Sequence, residues 1–277
     1  MNQPSFLLLI PACNEEKRIE PTLRLYAGYA RDCYQGTFQL LVVVNGSTDQ
    51  TLAISERLAS EFPSILSVNI PGRIGKGGAL IQGLKLALHA ELIGYADADG
   101  ATSAESIFRL AEVCAQPGVD AVIGSRRVPG AVIHQMQPNH RVLASKVFHL
   151  IVQTLFPLMR IHDTQCGAKV MRRAAVRKIL DSLHIADMAF DVNLIYALKR
   201  AHCHLQEYPL DWTDHLGSTV SYVRTSVVMF MSVVRLRLLH SPFRALLWLT
   251  RPLETRIYRA LRNPVPSPPN RPPASAK

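Results

Sequence analysis

The chain has 277 residues, 48% of them hydrophobic, which supplies a sizeable core and excludes disorder of the whole chain. Its formal net charge is +10, and the basic excess gathers late: residues 220–262 carry eight arginines against one acid, Glu254. A basic surface attracts nucleic acid, acidic lipid or phosphorylated substrate alike, so charge alone does not choose among them. The five cysteines, Cys13, Cys33, Cys114, Cys166 and Cys203, are odd in number and lack paired spacing. That argues against a disulfide scaffold or zinc site and fits a reducing compartment. Phe6–Ile10 is too short for the apolar region of an export signal and reads as a strand.

Taken in chain order, the apolar runs Phe6–Ile10, Leu40–Val44, Leu66–Ile70, Leu92–Ala96 and Ala121–Ile123 read as strands alternating with helix-length segments. This pattern predicts an α/β fold with a mostly parallel sheet. Ser47, Thr48 and Asp49 are expected to cap a helix toward Phe62, and Ser103 one toward Cys114. Ligands bind such sheets at the carboxyl ends of strands. The polar clusters Pro11-Ala12-Cys13-Asn14-Glu15, Asn45-Gly46-Ser47 and Asp97-Ala98-Asp99-Gly100 fall there.

Asp97 and Asp99, one residue apart after a buried strand, concentrate like charge that a cation would compensate. Hard oxygen ligands suit Mg2+ or Mn2+ bridging protein to phosphate, whereas an isolated D-x-D is otherwise a solvated turn. Arg73-Ile74-Gly75-Lys76-Gly77-Gly78, between a strand and a helix, reads either as a phosphate holder or as a tight turn with an exposed lysine. It fits neither P-loop spacing nor G-x-G-x-x-G.

Beyond residue 130 the pattern changes. Leu143, Val147, Leu150, Ile151, Leu155 and Leu158 share one face of a helix expected over about 141–160, with Lys146 and His149 nearby. Val227–Val234 continues through Arg235 and Arg237 into Leu238, Leu239, Phe243 and Trp248. Neither is an unbroken apolar span of about 20 residues, so interfacial helices at a membrane surface are expected, with ordinary packed helices as the alternative. The six prolines of 263–277 mark a disordered tail. The expected division is therefore 1–219 catalytic, 220–262 basic and membrane-associated, 263–277 tail.

The ordered motifs Pro11-Ala12-Cys13-Asn14-Glu15-Glu16, Gly46-Ser47-Thr48-Asp49, Gly75-Lys76-Gly77, Asp97-Ala98-Asp99-Gly100-Ala101-Thr102, Gly124-Ser125-Arg126 and Asp163-Thr164-Gln165-Cys166-Gly167-Ala168-Lys169 resemble the inverting family 2 glycosyltransferases of GT-A fold. The similarity is greatest to the dolichyl-phosphate β-glucosyltransferase branch and runs from about residue 6 to about 245. Phe190-Asp191-Val192, Trp212-Thr213 after an edge strand, and Gly217-Ser218 add to it. The resemblance implies that Pro11, Ala12, Asn14, Glu15, Asn45, Lys76, Asp97, Ala98 and Asp99 bind a nucleotide-sugar donor. It implies that Asp97 and Asp99 hold the divalent metal. Asp99 and Asp191 become the catalytic candidates, and Arg126, Arg141, Ser145 and Lys169 the acceptor-phosphate candidates. Asp163 reads equally well as a structural cap, and Cys166 as a packed residue rather than a nucleophile.

The implied reaction is transfer of a sugar, glucose from UDP-glucose by choice, onto a polyprenyl or dolichyl phosphate at the cytoplasmic face of a membrane, by a peripheral or monotopic protein. Transfer of mannose or another sugar to a different acceptor, or a degenerate non-catalytic nucleotide-sugar binder, are the alternatives. A nucleic-acid partner is not expected, because aromatic interleaving is missing from the arginine-rich region. Three positions depart from the family pattern. Val44-Asn45 replaces a customary Asp-Asp, Thr219 a customary lysine for which Arg224 is a candidate substitute, and Asn193 a glutamate. The membrane helix that precedes this region in eukaryotic members is also not expected here.

Overall fold

A computed structural model describes residues 3–134, 139–157, 159–213, 222–245 and 247, with the side chains of 139–143, 222–224, 243 and 245 left aside. The chain forms β1 (Phe6–Ala12), α1 (Ile19–Cys33), β2 (Phe38–Asn45), α2 (Thr51–Glu61), β3 (Ile65–Ile70), α3 (Gly75–Leu86), β4 (Leu92–Tyr95), α4 (Ala104–Ala115) and β5 (Ala121–Ser125). There follow β6 (Val132–Ile133), α5 (Asn139–Leu155), β7 (Lys169–Arg172), α6 (Arg173–Ile179), α7 (Phe190–Arg200), β8 (Leu205–Pro209), β9 (Asp211–Trp212) and α8 (Tyr222–Leu239).

Seven strands make one sheet in the order β3-β2-β1-β4-β7-β5-β8. All neighbours are parallel except β7, which runs antiparallel to both β4 and β5. The five expected strands are present. The central strands are near-continuous apolar runs because both faces are covered: Leu7 to Ile10 of β1 have no exposed surface, whereas Leu66 of the edge strand β3 is exposed. On one face Leu8 and Ile10 pack with Leu23 and Tyr26 of α1 and Ile107 and Phe108 of α4. On the other, Leu7 and Leu9 pack with Leu80 and Leu84 of α3, Val176 of α6 and Leu194 of α7.

Ser103 caps α4 as expected, accepting from the Ser106 N–H at 3.2 Å. The expected cap of α2 is corrected. Ser47 and Thr48 are spent on Asn14, and α2 begins at Thr51, whose N–H and hydroxyl both donate to Asp49 Oδ1.

A third apolar cluster joins Val152 and Phe156, Val192 and Ile195 of α7, and Val233 and Leu236 of α8. Of the expected face of α5, Val147 is 50% and Leu150 67% exposed and Leu155 packs against this cluster, while Val152, beside that face, is buried. Helix α8 is fastened to the body by Val233, Leu236 and a Ser232–Asp187 hydrogen bond. One compact unit spans Met1–Arg237, and Leu238–Lys277 forms a second. Leu158, Thr219 and the 263–277 tail lie outside the described residues. Among the described residues, no helix is long and apolar enough to cross a membrane.

Candidate active site

The parallel strands place their carboxyl ends together, and the loops there are tied to one another through side chains. Asn14, at φ 57°, accepts the Thr48 N–H at 2.8 Å and gives its own N–H to Ser47 Oγ at 3.1 Å. The N–H groups of Glu15 and Glu16 donate to Thr51 Oγ1 and Asp49 Oδ2. The segments after β1 and β2 are thus one unit, with Pro11 and Ala12 on its β1 side. Buried Asn45 donates to the Ala12 carbonyl at 3.1 Å, and among the described residues its Oδ1 has no hydrogen-bond partner. A buried amide oxygen left in that state costs free energy until a donor reaches it.

Asp97-Ala98-Asp99 follows β4 and is held on three sides. From α1, Thr22 donates to the Ala98 carbonyl at 3.1 Å and Tyr26 to the Thr102 carbonyl at 2.9 Å. Thr213 N–H donates to the Ala101 carbonyl at 2.8 Å, next to a Thr102–Trp212 bridge. Asp99 Oδ1 turns back onto the Ala101 N–H at 3.1 Å. The third side is Gly167, whose place would admit no Cβ: it would lie 2.0 Å from Asp97 Oδ2. The glycine of the Cys166-Gly167 turn exists to let the carboxylate lie against backbone.

Lys76 reaches this cluster from the start of α3. Its ammonium lies 2.7 Å from Asp97 Oδ1 and 3.5 Å from Asp191 Oδ2. In the loop around it, Gly75 and Gly77 give close approach to the chain at Ile185 and Ala186, whose carbonyls would lie 2.3–2.4 Å from added Cβ atoms. The Gly78 N–H is bonded to the Ala186 carbonyl at 3.0 Å. The glycines therefore pack, and the lysine turns inward, with 12% of its side chain exposed.

Behind Lys76 lies a buried ion cluster. Asp191, on the first turn of α7, accepts from Lys169 Nζ at 2.5 Å and from the Tyr95 hydroxyl. Both partners and Asp191 itself are buried. Burial would raise the Asp191 pKa, but Lys169 first and Lys76 next outweigh it and hold it below the ordinary value. Burial would likewise lower the Lys76 pKa, and Asp191 and Asp97 raise it above normal. Asp97 is shifted upward, by burial first, against Lys76, and with Asp99 adding to the rise. Glu15 is raised by burial despite its ion pair with Arg18, the two aspartates contributing.

Two of the expected site residues lie deep. Lys169 is 1% exposed, and its ammonium donates to Asp191 and the Cys166 carbonyl. Asp191 is buried too, with Lys76 between it and Asp97. Asn193 also faces away from the chemistry. Its side chain accepts the His184 and Ile185 N–H groups and donates to the Ser182 carbonyl.

A second ion cluster lies after β5. Arg126 grips buried Asp163 with Nε at 2.7 Å, Nη2 at 3.0 Å and its own N–H at 3.1 Å, and lies 5.2 Å from the Trp212 ring. Burial raises the Asp163 pKa, but Arg126 more than reverses this and brings it to about 2. Asp163 also accepts the Gln165 N–H, as a structural cap of that turn does. Cys166 is a packed thiol, pushed up to about 12 by burial.

Ser145, on α5, is bonded by a residue that sequence reasoning passed over. Arg127 Nη2 donates to Ser145 Oγ at 2.7 Å, and Nη1 to the His162 carbonyl at 3.2 Å. Its signal was adjacency to Arg126 at a strand end. Arg141 falls in the first turn of α5, and its side chain, like those of Thr219 and Arg224, lies outside the described residues.

The donor set at Asp97 and Asp99 fits a divalent cation of the magnesium type. Both are carboxylates at one strand end, and Asp97 is cradled where a Cβ would not fit. Among the described residues no third His, Cys, Asp or Glu completes a metal cage. Mg2+ is commonly held in this way, by one or two carboxylates with phosphate oxygens and water as its other ligands.

Comparison with known proteins bears on the same residues. Residues 8–180 match the family described as glycosyl transferase family 2. A dolichyl-phosphate beta-glucosyltransferase of Trichomonas vaginalis is 30% identical, over 87% of this chain and 72% of that one. A protein of the same name in Drosophila melanogaster is 31% identical, over 82% and 74%. Among solved structures, glucosyl-3-phosphoglycerate synthase from Mycobacterium tuberculosis, crystallised with Mn2+, UDP and phosphoglyceric acid, superposes with a TM-score of 0.64 at 18% identity, over 85% of this chain and 78% of that one. That likeness establishes the GT-A fold. With the family motifs occupying the strand ends of that fold, the chain belongs to glycosyl transferase family 2 and is a glycosyltransferase.

Proposed function

We propose that the protein transfers glucose from UDP-glucose to a polyprenyl or dolichyl phosphate at a membrane surface, inverting the anomeric configuration. The observation that carries this reading is the convergence of Asp97, Asp99 and Lys76 at the carboxyl end of β4, in a chain whose curated relatives are named for that reaction. Pro11, Ala12, Asn14, Glu15 and Asn45 border the nucleotide, with Asn45 Oδ1 free to accept a hydrogen bond from it. Asp97 and Asp99 hold Mg2+ or Mn2+. When bound, that metal neutralises charge growing on the departing nucleoside diphosphate. Lys76 supplies a further cation from the protein.

A lipid phosphate is ionised at neutral pH. Its oxygen forms the bond to the anomeric carbon as the bond to the diphosphate breaks, and no proton has to be removed. The burial of Asp191 suits such a reaction, which needs no protein base. Arg126, Arg127, Arg141 and Ser145 make the acceptor-phosphate side. Nearby on α5, exposed Val147 and Leu150 with Lys146 form an apolar and basic face suited to an interface, and on α8 Val227 and Phe230 are exposed in the same way. The face of the membrane in this reading is the cytoplasmic one.

Purified protein incubated with UDP- and GDP-sugars, undecaprenyl or dolichyl phosphate and Mg2+ or Mn2+ tests the proposal. Lipid-linked glucose from UDP-glucose is the expected product. Absence of lipid-linked product from every pair contradicts it.

A further inference from the structure

Asp97 already carries a protein cation. The Lys76 ammonium is 2.7 Å from Oδ1, while Oδ2 lies against Gly167, so the carboxylate is confined on both sides. The same ammonium is 3.5 Å from Asp191 Oδ2, and Asp191 is itself pinned by Lys169 and Tyr95. Lys76 is therefore shared between two anions, one at the face of the site and one behind it. Either can hold it.

We propose that Lys76 is a built-in counter-cation that competes with the divalent metal for Asp97, so that metal affinity is coupled to the arrival of the nucleotide diphosphate. This rests on the reading of Asp97 and Asp99 as the metal and diphosphate site. An ammonium and a divalent cation on one carboxylate repel, and in a half-buried site that repulsion is weakly screened. The diphosphate brings the negative charge that lets both cations remain. Asp191 gives Lys76 somewhere to stay when Asp97 turns to the metal, and Lys169 keeps Asp191 ionised and in place for that purpose. By linkage, the factor by which diphosphate tightens the metal equals the factor by which metal tightens diphosphate.

Mn2+ binding to the full chain, followed by electron paramagnetic resonance with and without UDP, tests this in the wild type, Lys76→Met and Lys76→Arg. The wild type is expected to bind Mn2+ at least about tenfold more tightly with UDP present, within the ordinary range of coupling between sites. Without nucleotide, K76M is expected to bind Mn2+ about tenfold more tightly than the wild type, with K76R close to wild type, and UDP is expected to add less in K76M. Circular dichroism checks that K76M is folded. The wild-type titration stands by itself if K76M is not, and equal Mn2+ affinity with and without UDP overturns the inference. A ternary complex in the wild type with no gain in K76M overturns the inference alone. Failure of the wild type to bind Mn2+ or UDP in any combination overturns the donor-site reading and the inference with it.

Discussion

The two ion clusters of the site are built on opposite plans. Lys169, Asp191 and Lys76 form a chain of alternating charge that starts in the core, where Lys169 and Asp191 are buried, and ends at the face of the site on Asp97. Arg126 and Asp163 form a closed bidentate pair that ties the end of β5 to the turn before β7, and the neighbouring Arg127 extends outward to α5. The first plan delivers a cation to a fixed point. The second fixes a loop and leaves recognition to residues at its rim. A donor diphosphate at a metal needs the former, and a lipid phosphate arriving from a membrane surface suits the latter.

Removing a member of the first cluster is the severest way to break this contrast. Asp191→Asn leaves two lysines facing each other without their shared anion, and breaking a buried pair costs about 3–5 kcal/mol. Chemical denaturation is expected to show that loss, accompanied by weaker nucleotide binding because Lys76 loses its anchor. Stability unchanged in the variant contradicts the chain of charges described here.

The second cluster answers to pH. The Asp163 pKa, brought down to about 2 chiefly by Arg126 against burial, means that the carboxylate is ionised in the folded protein where the unfolded chain already binds a proton. Its contribution is therefore complete above pH 4 and is lost as pH falls through 2. The shift from the ordinary value of 3.8 corresponds to about 2 kcal/mol. Asp163→Asn is expected to cost about 3 kcal/mol at pH 7, because it also leaves Arg126 half-buried without its partner. The gap between variant and wild type narrows toward pH 2, which denaturation at a series of pH values checks. A gap that widens on acidification contradicts the assignment.

The smallest effect lies at the rim. Arg127 is exposed, so Arg127→Met is expected to change stability by no more than about 0.5 kcal/mol. If it faces the acceptor, its loss removes a charged hydrogen bond of about 1.5 kcal/mol, and the KM for lipid phosphate rises roughly tenfold with the donor KM unchanged. A donor effect of equal size contradicts the assignment of Arg127 to the acceptor side.

The parallel half of the sheet was legible because its central strands β1, β2 and β4 are buried on both faces and so read as apolar runs, with polar clusters marking the ends. Strand β7 was not. Lys169-Val170-Met171-Arg172 is four residues long, opens with a lysine and directly precedes a helix, and its register is set by β4 and β5 on either side. The burial of the same lysine was not legible either, since a lysine is rarely buried without a partner and its partner, Asp191, is 22 residues away. Asp97, Asp99 and Lys76 were legible as candidates, yet the pairing of Lys76 with Asp97 required the fold, which brings α3 beside the end of β4. The face of α5 was legible as a stripe but not as a surface, because α7 and α8 select Val152 and Phe156 for the core and leave Val147 and Leu150 outside.

The central claim is that Asp97-Ala98-Asp99 holds the donor diphosphate through a divalent metal. Its most direct measurement is the thermal stability of wild type and Asp99→Asn with UDP-glucose, with and without Mn2+. At 100 times its dissociation constant the donor should stabilise the wild type by about 2.7 kcal/mol, in a manner that depends on Mn2+. Asp99→Asn should lose that stabilisation while keeping its unliganded melting temperature. Equal stabilisation of both proteins, or stabilisation indifferent to Mn2+, contradicts the claim.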